Sequence, residues 1–314
     1  MLTFKHKSNF FFEQLPSYEN GYLDVGQGHK IYYEQYGNPD GKPILFLHGG
    51  PGAGFSNSHK SFFDTKVFRV IFFDQRGSGK SIPYGEIDNN NTEALILDIE
   101  NLRKHLKIKQ WYLFGGSWGS TLAILYGINF PERCLGFILR GIFLGTINEI
   151  NWFLYDIKKF FPEAHHKFLS YIPKDYQNNI LLWFYKQLNV KEKSTNLQAA
   201  AVWAEYENSC STLKYVERPM SGEKSLAIAK IETHYFVNKC FINDNFIKKN
   251  IEKIAHIPAI IVQGRHDVIC PPFNALDLSK IWNAASIDVI EDAGHSGFED
   301  SIARKLINAL YMIK

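Results

Sequence analysis

Several short, unbroken apolar runs constrain this chain more than any other feature. Ile44–His48 reads ILFLH and Val67–Phe73 reads VFRVIFF; WYLFG, CLGFILRGI and IPAIIVQG follow further along. Runs of this length that do not alternate with polar residues suit strands covered on both faces, as in a parallel sheet. Between them lie helical patterns. Leu95, Ile99, Leu102 and Leu106 fall on one face of the segment TEALILDIENLRKHL, with Thr92 as the expected N-cap and Asn91 as the alternative. SWGSTLAILYGINF reads as the next helix. Strand alternating with helix implies parallel pairing through right-handed crossovers. Ahead of this pattern, YLDV and KIYYEQYG flank Gly26-Gln27-Gly28-His29 as a hairpin, and Asn38-Pro39-Asp40-Gly41 makes a further turn.

The pattern breaks near Phe143. From there to Asn245 strand runs vanish, and aromatic helical segments such as WFLYDIKKFFP and YQNNILLWFYKQL take over, before IPAIIVQG and SIDVIED restore the strand–helix order. The expected organisation is an α/β core over residues 1–143 and 246–314, split by a helical cap over 144–245. With 314 residues, 45% of them hydrophobic, the chain can build both parts. A formal charge of +3 with interspersed acids and bases gives no reason to expect nucleic acid or a membrane surface as partner. Four scattered cysteines, Cys134, Cys210, Cys240 and Cys270, suggest reduced thiols and a cytoplasmic location. The N-terminal segment has an apolar run too short for a signal-peptide core, and no stretch of about 18 apolar residues suggests a membrane span.

The chemistry concentrates at Gly115-Gly116-Ser117-Trp118-Gly119. This G-x-S-x-G sits between a strand and a helix, the tight turn that holds a serine hydroxyl above a sheet. A serine hydroxyl needs a base to take its proton and an acid to orient that base. On this type of elbow the acid and then the histidine follow in sequence. Asp267 comes just after IPAIIVQG and His295 just after SIDVIED, so loops at the carboxyl edge of the sheet bring both toward Ser117. His266 and Asp292 are the nearest rivals. The amide of Trp118 and that of Gly50, in the glycine-rich run His48-Gly49-Gly50-Pro51-Gly52, are the expected oxyanion donors; His48 itself is expected to be structural.

Asp74–Ser81, DQRGSGKS, ends like a phosphate-binding loop. That motif requires glycine five residues before Gly79, and Asp74 stands there instead, adding negative charge where phosphates would lie. A nucleotide-binding protein is therefore the weaker reading. A carboxylesterase using the same three residues remains an alternative. An aspartate-nucleophile hydrolase is excluded by the serine.

The segments HGGPG (48–52), DQRGSGKS (74–81), GGSWGS (115–120), LRGIF (139–143), IETHYFVN (231–238), GRHDVICP (264–271) and DAGHS (292–296) resemble the proline iminopeptidase family of serine peptidases, over nearly the whole chain. The resemblance implies an α/β-hydrolase fold, with a mostly parallel central sheet, helices on both faces and an inserted helical cap. It implies release of an N-terminal proline from peptides through an acyl-enzyme, with Ser117, Asp267 and His295 as the triad and no metal or organic cofactor. It further implies that Glu207 and Glu232 bind the substrate's free amine and that Phe143, Phe153 and Phe236 receive the proline ring. An ammonium taken out of water must be paired, which suits two carboxylates. Tyr206 stands where tryptophan is expected and Phe153 where tyrosine is common; Glu205 lies close by on another helical face. Cys270, near Asp267 in sequence, suggests that bulky thiol reagents block the site.

Overall fold

The computed structural model of the protein describes residues 10–313, so the expectation about an N-terminal leader falls largely on residues outside the described ones. Eight strands form one sheet: β1 (Glu19–Gly26), β2 (His29–Gly37), β3 (Lys42–Leu47), β4 (Phe68–Phe73), β5 (Trp111–Ser117), β6 (Cys134–Ile142), β7 (Ala259–Gly264) and β8 (Ala285–Ile290). Their order is β1-β2-β4-β3-β5-β6-β7-β8. β1 and β2 pair antiparallel, as do β2 and β4, and every later pairing is parallel. The hairpin thus forms one edge of the otherwise parallel sheet that the apolar runs require.

The helices are α1 (Thr92–His105), α2 (Trp118–Asn129), α3 (Ile147–Asn151), α4 (Pro162–Ser170), α5 (Ile180–Leu188), α6 (Lys193–Cys210), α7 (Glu223–Val237), α8 (Phe246–Asn250), α9 (Pro272–Ile281) and α10 (Asp300–Met312). Strand residues divide strictly between the two faces, because successive side chains point to opposite sides. Leu45, Leu47, Leu113, Leu139 and Ile261 pack with α1, α2 and α9. Their neighbours Ile44, Phe46, Phe114, Ile138 and Val262 pack with Phe62, Phe63 and α10 on the other side. Each such side chain removed from water contributes about 1.5–3 kcal/mol. The N-cap of α1 is Asn91, whose side chain accepts from the amide of Ala94 at 2.9 Å; the hydroxyl of Thr92 instead donates to the carbonyl of Cys240. The expectation for Thr92 is corrected by one residue, because its hydroxyl has a partner across the fold.

No strand interrupts the chain between β6 and β7, and the helices α3 to α8 lie there. They are tied to the carboxyl edge of the sheet. Tyr235 donates to Asn90 Oδ1 at 2.9 Å, Trp152 Nε1 to the carbonyl of Val268 at 2.7 Å, and the amide of Ser296 to the carbonyl of Ser211 at 2.8 Å. Among the described residues, no helix is long and apolar enough to cross a membrane.

DQRGSGKS is folded around its own aspartate. The carboxylate of Asp74 accepts from the amides of Phe55 and Lys80 at 2.9 and 2.8 Å, and a Cβ on Gly79 would lie 2.1 Å from it. The carboxylate occupies the place a phosphate would need, and Lys80 extends to solvent over the Tyr32 ring. Arg76, in the same loop, makes a two-pronged contact with Asp98 of α1 at 2.7 and 2.8 Å. Burial raises the pKa of Asp98 despite that guanidinium, so the pair itself adds little stability. Breaking it is different. Asp98→Ala leaves a buried guanidinium without its carboxylate and is expected to cost about 3 kcal/mol in a urea melt, whereas Lys280→Ala, which breaks an exposed pair with Asp277, is expected to cost under about 1 kcal/mol.

Candidate active site

Ser117 ends β5 and caps α2 with φ 57° and ψ −129°, a strained conformation for a residue with a side chain. The turn is tight enough that a Cβ on Gly119 would lie 2.1 Å from the carbonyl of Leu47, and one on Gly115 would lie 2.3 Å from that of Gly119. Both outer glycines of the motif are therefore steric necessities. The strain points Ser117 into a cavity of about 260 Å³ that also receives Gly50, Arg140, Glu207 and His295.

Asp267 follows β7 and His295 follows β8. His295 Nδ1 lies 2.8 Å from Asp267 Oδ2, which leaves Nε2 toward the cavity. The carboxylate of Asp267 is buried and accepts two further hydrogen bonds, from the amide of Cys270 at 2.8 Å and from Gln263 Nε2 at 3.1 Å. Gly141 passes so close that a Cβ there would meet His295 Cε1 at 2.9 Å, which explains the glycine of LRGIF. The rivals His266 and Asp292 are both exposed to solvent. Gln263 is a residue that sequence reasoning missed. Its Oε1 accepts from the amide of Ile142 at 3.1 Å while its Nε2 serves Asp267 and the carbonyl of Cys270. A lone amide in an apolar strand run was the available signal.

Gly50 borders the same space as Ser117, and Trp118 begins α2 directly after it. A second buried amide, Gln75, joins the two loops that carry them. Gln75 Nε2 donates to the carbonyl of His48 at 2.9 Å, and its Oε1 accepts from the indole of Trp118 at 2.9 Å. His48 Nε2 accepts from the amide of Gln75 at 3.0 Å, so Nδ1 carries the proton toward the carbonyl of Gly49, and burial presses the His48 pKa down to about 4. His48 is neutral and structural.

A second, much smaller pocket, of about 20 Å³, also borders Ser117 and Gly50; it has room for about one water, so its walls must part to admit anything larger. It is lined by Phe143, Phe153 and Phe236, by Glu207 and Glu232, and by Glu149 and Cys270. The Phe143 and Phe236 rings lie 6.0 Å apart, and Phe153 stands 6.2 Å from Phe236. Glu207 of α6 and Glu232 of α7 line this pocket together, and Trp203 Nε1 donates to Glu232 Oε2 at 2.6 Å. Burial raises both pKa values, and the charge of Glu207 raises that of Glu232 further, so the pair retains a proton well above the usual carboxylate range. Glu205 lies outside the pocket, paired with Lys167 at 2.6 Å. Tyr206 lies behind it, donating to the carbonyl of Phe153 at 2.9 Å.

Glu149 is a third carboxylate that sequence reasoning missed, although Thr146-x-x-Glu149 is a capping-box pattern. It accepts from the amides of Leu144 and Thr146, the Thr146 hydroxyl and Asn274 Nδ2, so its oxygens serve the frame. The Cys270 thiol is buried beside Ser117, with its pKa pushed up by desolvation. Among the described residues no cluster of histidine, cysteine or acidic side chains is arranged to hold a metal ion.

Residues 42–302 match a family model described as alpha/beta hydrolase fold. The chain is 44% identical over 298 residues to a probable proline iminopeptidase of Leptolyngbya boryana, covering 93% of each chain. It is 42% identical over 314 residues to a proline iminopeptidase of Arabidopsis thaliana, covering 98% of this chain and 82% of that one. With one from Neisseria gonorrhoeae the identity is 41% over 296 residues, covering 93% of this chain and 95% of the other. Among solved structures, VinJ superposes with a TM-score of 0.64 at 18% identity, covering 95% of this chain and 99% of that one. An esterase from Exiguobacterium antarcticum gives 0.59 at 19%, covering 93% and 98%. At these identities the structural likeness concerns the fold alone.

A carboxyl whose folded pKa is raised adds stability below the unfolded carboxylate range and loses it as pH rises through the raised value. Glu232→Gln removes that loss. Thermal melts are expected to show a gain of about 1–3 kcal/mol near pH 8 that shrinks toward zero near pH 4.5.

Proposed function

We propose how the site works on one premise: the chain belongs to the proline iminopeptidase family of α/β-hydrolases and is a serine aminopeptidase. The N-terminal ammonium of a peptide docks between Glu207 and Glu232, and the proline ring enters among Phe143, Phe153 and Phe236. Ser117 Oγ attacks the carbonyl of that first residue while His295 takes the proton and Asp267 orients the imidazole. The amides of Gly50 and Trp118 hold the oxyanion. His295 then protonates the departing amine, and water, deprotonated by His295, cleaves the prolyl ester and restores the serine.

One observation carries this reading: Ser117 borders an aromatic-lined pocket that also holds two carboxylates, Glu207 and Glu232. Burial makes two ionised carboxylates costly until a cation lies between them. A cationic substrate therefore binds where a neutral acyl group gains nothing, and a chain blocked at its amine leaves the carboxylates without a cation. That limits cleavage to the first residue. We assign residues 144–245 as the cap and residues 1–143 with 246–314 as the core, since both carboxylates and two of the three phenylalanines come from residues 144–245, within the helical segment between β6 and β7. Four buried, unpaired cysteines favour a reducing compartment such as the cytoplasm.

The test is a panel of aminoacyl-naphthylamides with an N-acetyl-prolyl member. Prolyl-naphthylamide is expected to be cleaved at least about 100-fold faster than the acetylated form, given the cost of an unpaired buried charge. Comparable rates on the blocked substrate overturn amine recognition. Glu207→Gln with Glu232→Gln separates the readings further. A peptidase loses most kcat/KM on prolyl substrates, while a carboxylesterase retains its activity on simple esters. Cys270→Ala is expected to resist a bulky mercurial that inhibits the wild type.

A further inference from the structure

The two cavities meet at Ser117, Gly50 and Glu207, which line both. On the proposed reading the smaller pocket opens to take the first residue, so the bond to be broken points into the larger chamber. That chamber is not a featureless exit. Its floor is formed by Phe46, His59, Phe62, Phe114, Phe298 and Leu306. The rings pack on one another in tilted pairs: Phe46 on His59 at 4.6 Å, His59 on Phe298 at 5.4 Å, and Phe62 on Phe298 at 5.2 Å. Burial presses the His59 pKa down to about 3, so this ring stays neutral and the floor carries no charge of its own.

Phe298 is the telling residue. It lies three positions beyond His295 and keeps 41% of its surface exposed, although Phe46, Phe62 and Phe114 are buried. An aromatic ring at the rim of a cavity, packed against Phe11, His59 and Phe62 and still part-exposed, is poised to cover a further apolar group. The opposite wall, Asn208, Ser211 and Arg218, is polar and comes from the end of α6 and the loop after it. A cavity of about 150 Å³ is enough to bind benzene, and this one measures about 260 Å³. The room suffices for an aromatic side chain together with the peptide unit that bears it.

We propose that this chamber is a leaving-group pocket that selects a large aromatic side chain at the second residue of the peptide, with the ring lying on His59, Phe62 and Phe298. The inference rests on the aminopeptidase reading and adds a second point of specificity to it. Bond making and breaking at Ser117 are unchanged; the pocket acts by holding the departing amine's side chain while His295 delivers the proton. The binding is apolar, so it acts on kcat/KM and depends little on salt.

Two dipeptide amides, Pro-Phe-NH2 and Pro-Gly-NH2, test it on the full chain. Wild type is expected to prefer Pro-Phe-NH2 by about tenfold or more in kcat/KM, the discrimination that burial of one large apolar side chain supplies. Phe298→Ala is expected to cut that ratio at least about threefold and Phe298→Leu to restore most of it, since area and not aromaticity sets the larger part. Equal kcat/KM on the two amides in the wild type, or a ratio that survives Phe298→Ala, overturns the pocket while leaving the aminopeptidase reading standing. Failure to cleave either amide by an enzyme that still hydrolyses esters overturns both. The wild-type ratio decides the matter even where a variant does not fold.

Discussion

The cost of burying carboxylate charge governs this molecule. Glu232 is only 3% exposed and faces Glu207, and the phenylalanines that line their pocket offer no charge to stabilise two carboxylates. Such a pair holds a proton until a cation arrives. The groups around it hold that pair in the pocket that Ser117 borders. The helices α6 and α7 pack against each other and hold the carboxylates. The Trp203 indole pins Glu232, and Tyr206 braces the backbone of Phe153. On the proposed reading the residues that recognise the substrate are thus less stable in place than neutral ones would be, which is common where binding energy is reserved for a ligand.

The sheet supplies the opposite quality, rigidity. Loops from the carboxyl ends of β3, β5, β7 and β8 bring Gly50, Ser117, Asp267 and His295 together, and each is tightened by groups that never meet substrate. Gln263 holds Asp267 against the end of β6, and Gln75 ties the loop of Gly50 to Trp118. These buried amides satisfy backbone groups that the sheet's edge leaves open, so a single side chain orients two loops at once. Gly116 and Gly141 complete the frame by absence, since a side chain at either would collide with Arg140 or His295.

Much of this was legible in the chain. Apolar runs without alternation could only be strands covered twice, and Phe46 and Leu47 duly face opposite cores. The elbow around Ser117 was legible because its glycines answer a local steric demand. Glu207 and Glu232 were legible only through likeness to a family, since nothing local distinguishes a ligand-binding glutamate from the solvated Glu205 two positions away. Gln75, Gln263 and Glu149 were missed because their importance comes from neighbours distant in sequence; Glu149 lies 125 positions from Asn274. The aromatic floor beneath Phe298 was hidden for the same reason, being assembled from strand, loop and helix residues that share no motif. The Thr92 cap was misplaced because its hydroxyl's partner, Cys240, belongs to a distant segment.

The most direct measurement is the proton count on binding. Titration calorimetry of Ser117→Ala with Pro-Gly-NH2 near pH 6, repeated in buffers of different ionisation enthalpy, reads whether protons are released or taken up. If a carboxylate pair sharing a proton exchanges it for the substrate's ammonium, close to one proton leaves per ligand bound, and Glu232→Gln in the same background abolishes the release. Heat that does not vary with buffer, or proton uptake, would contradict the account.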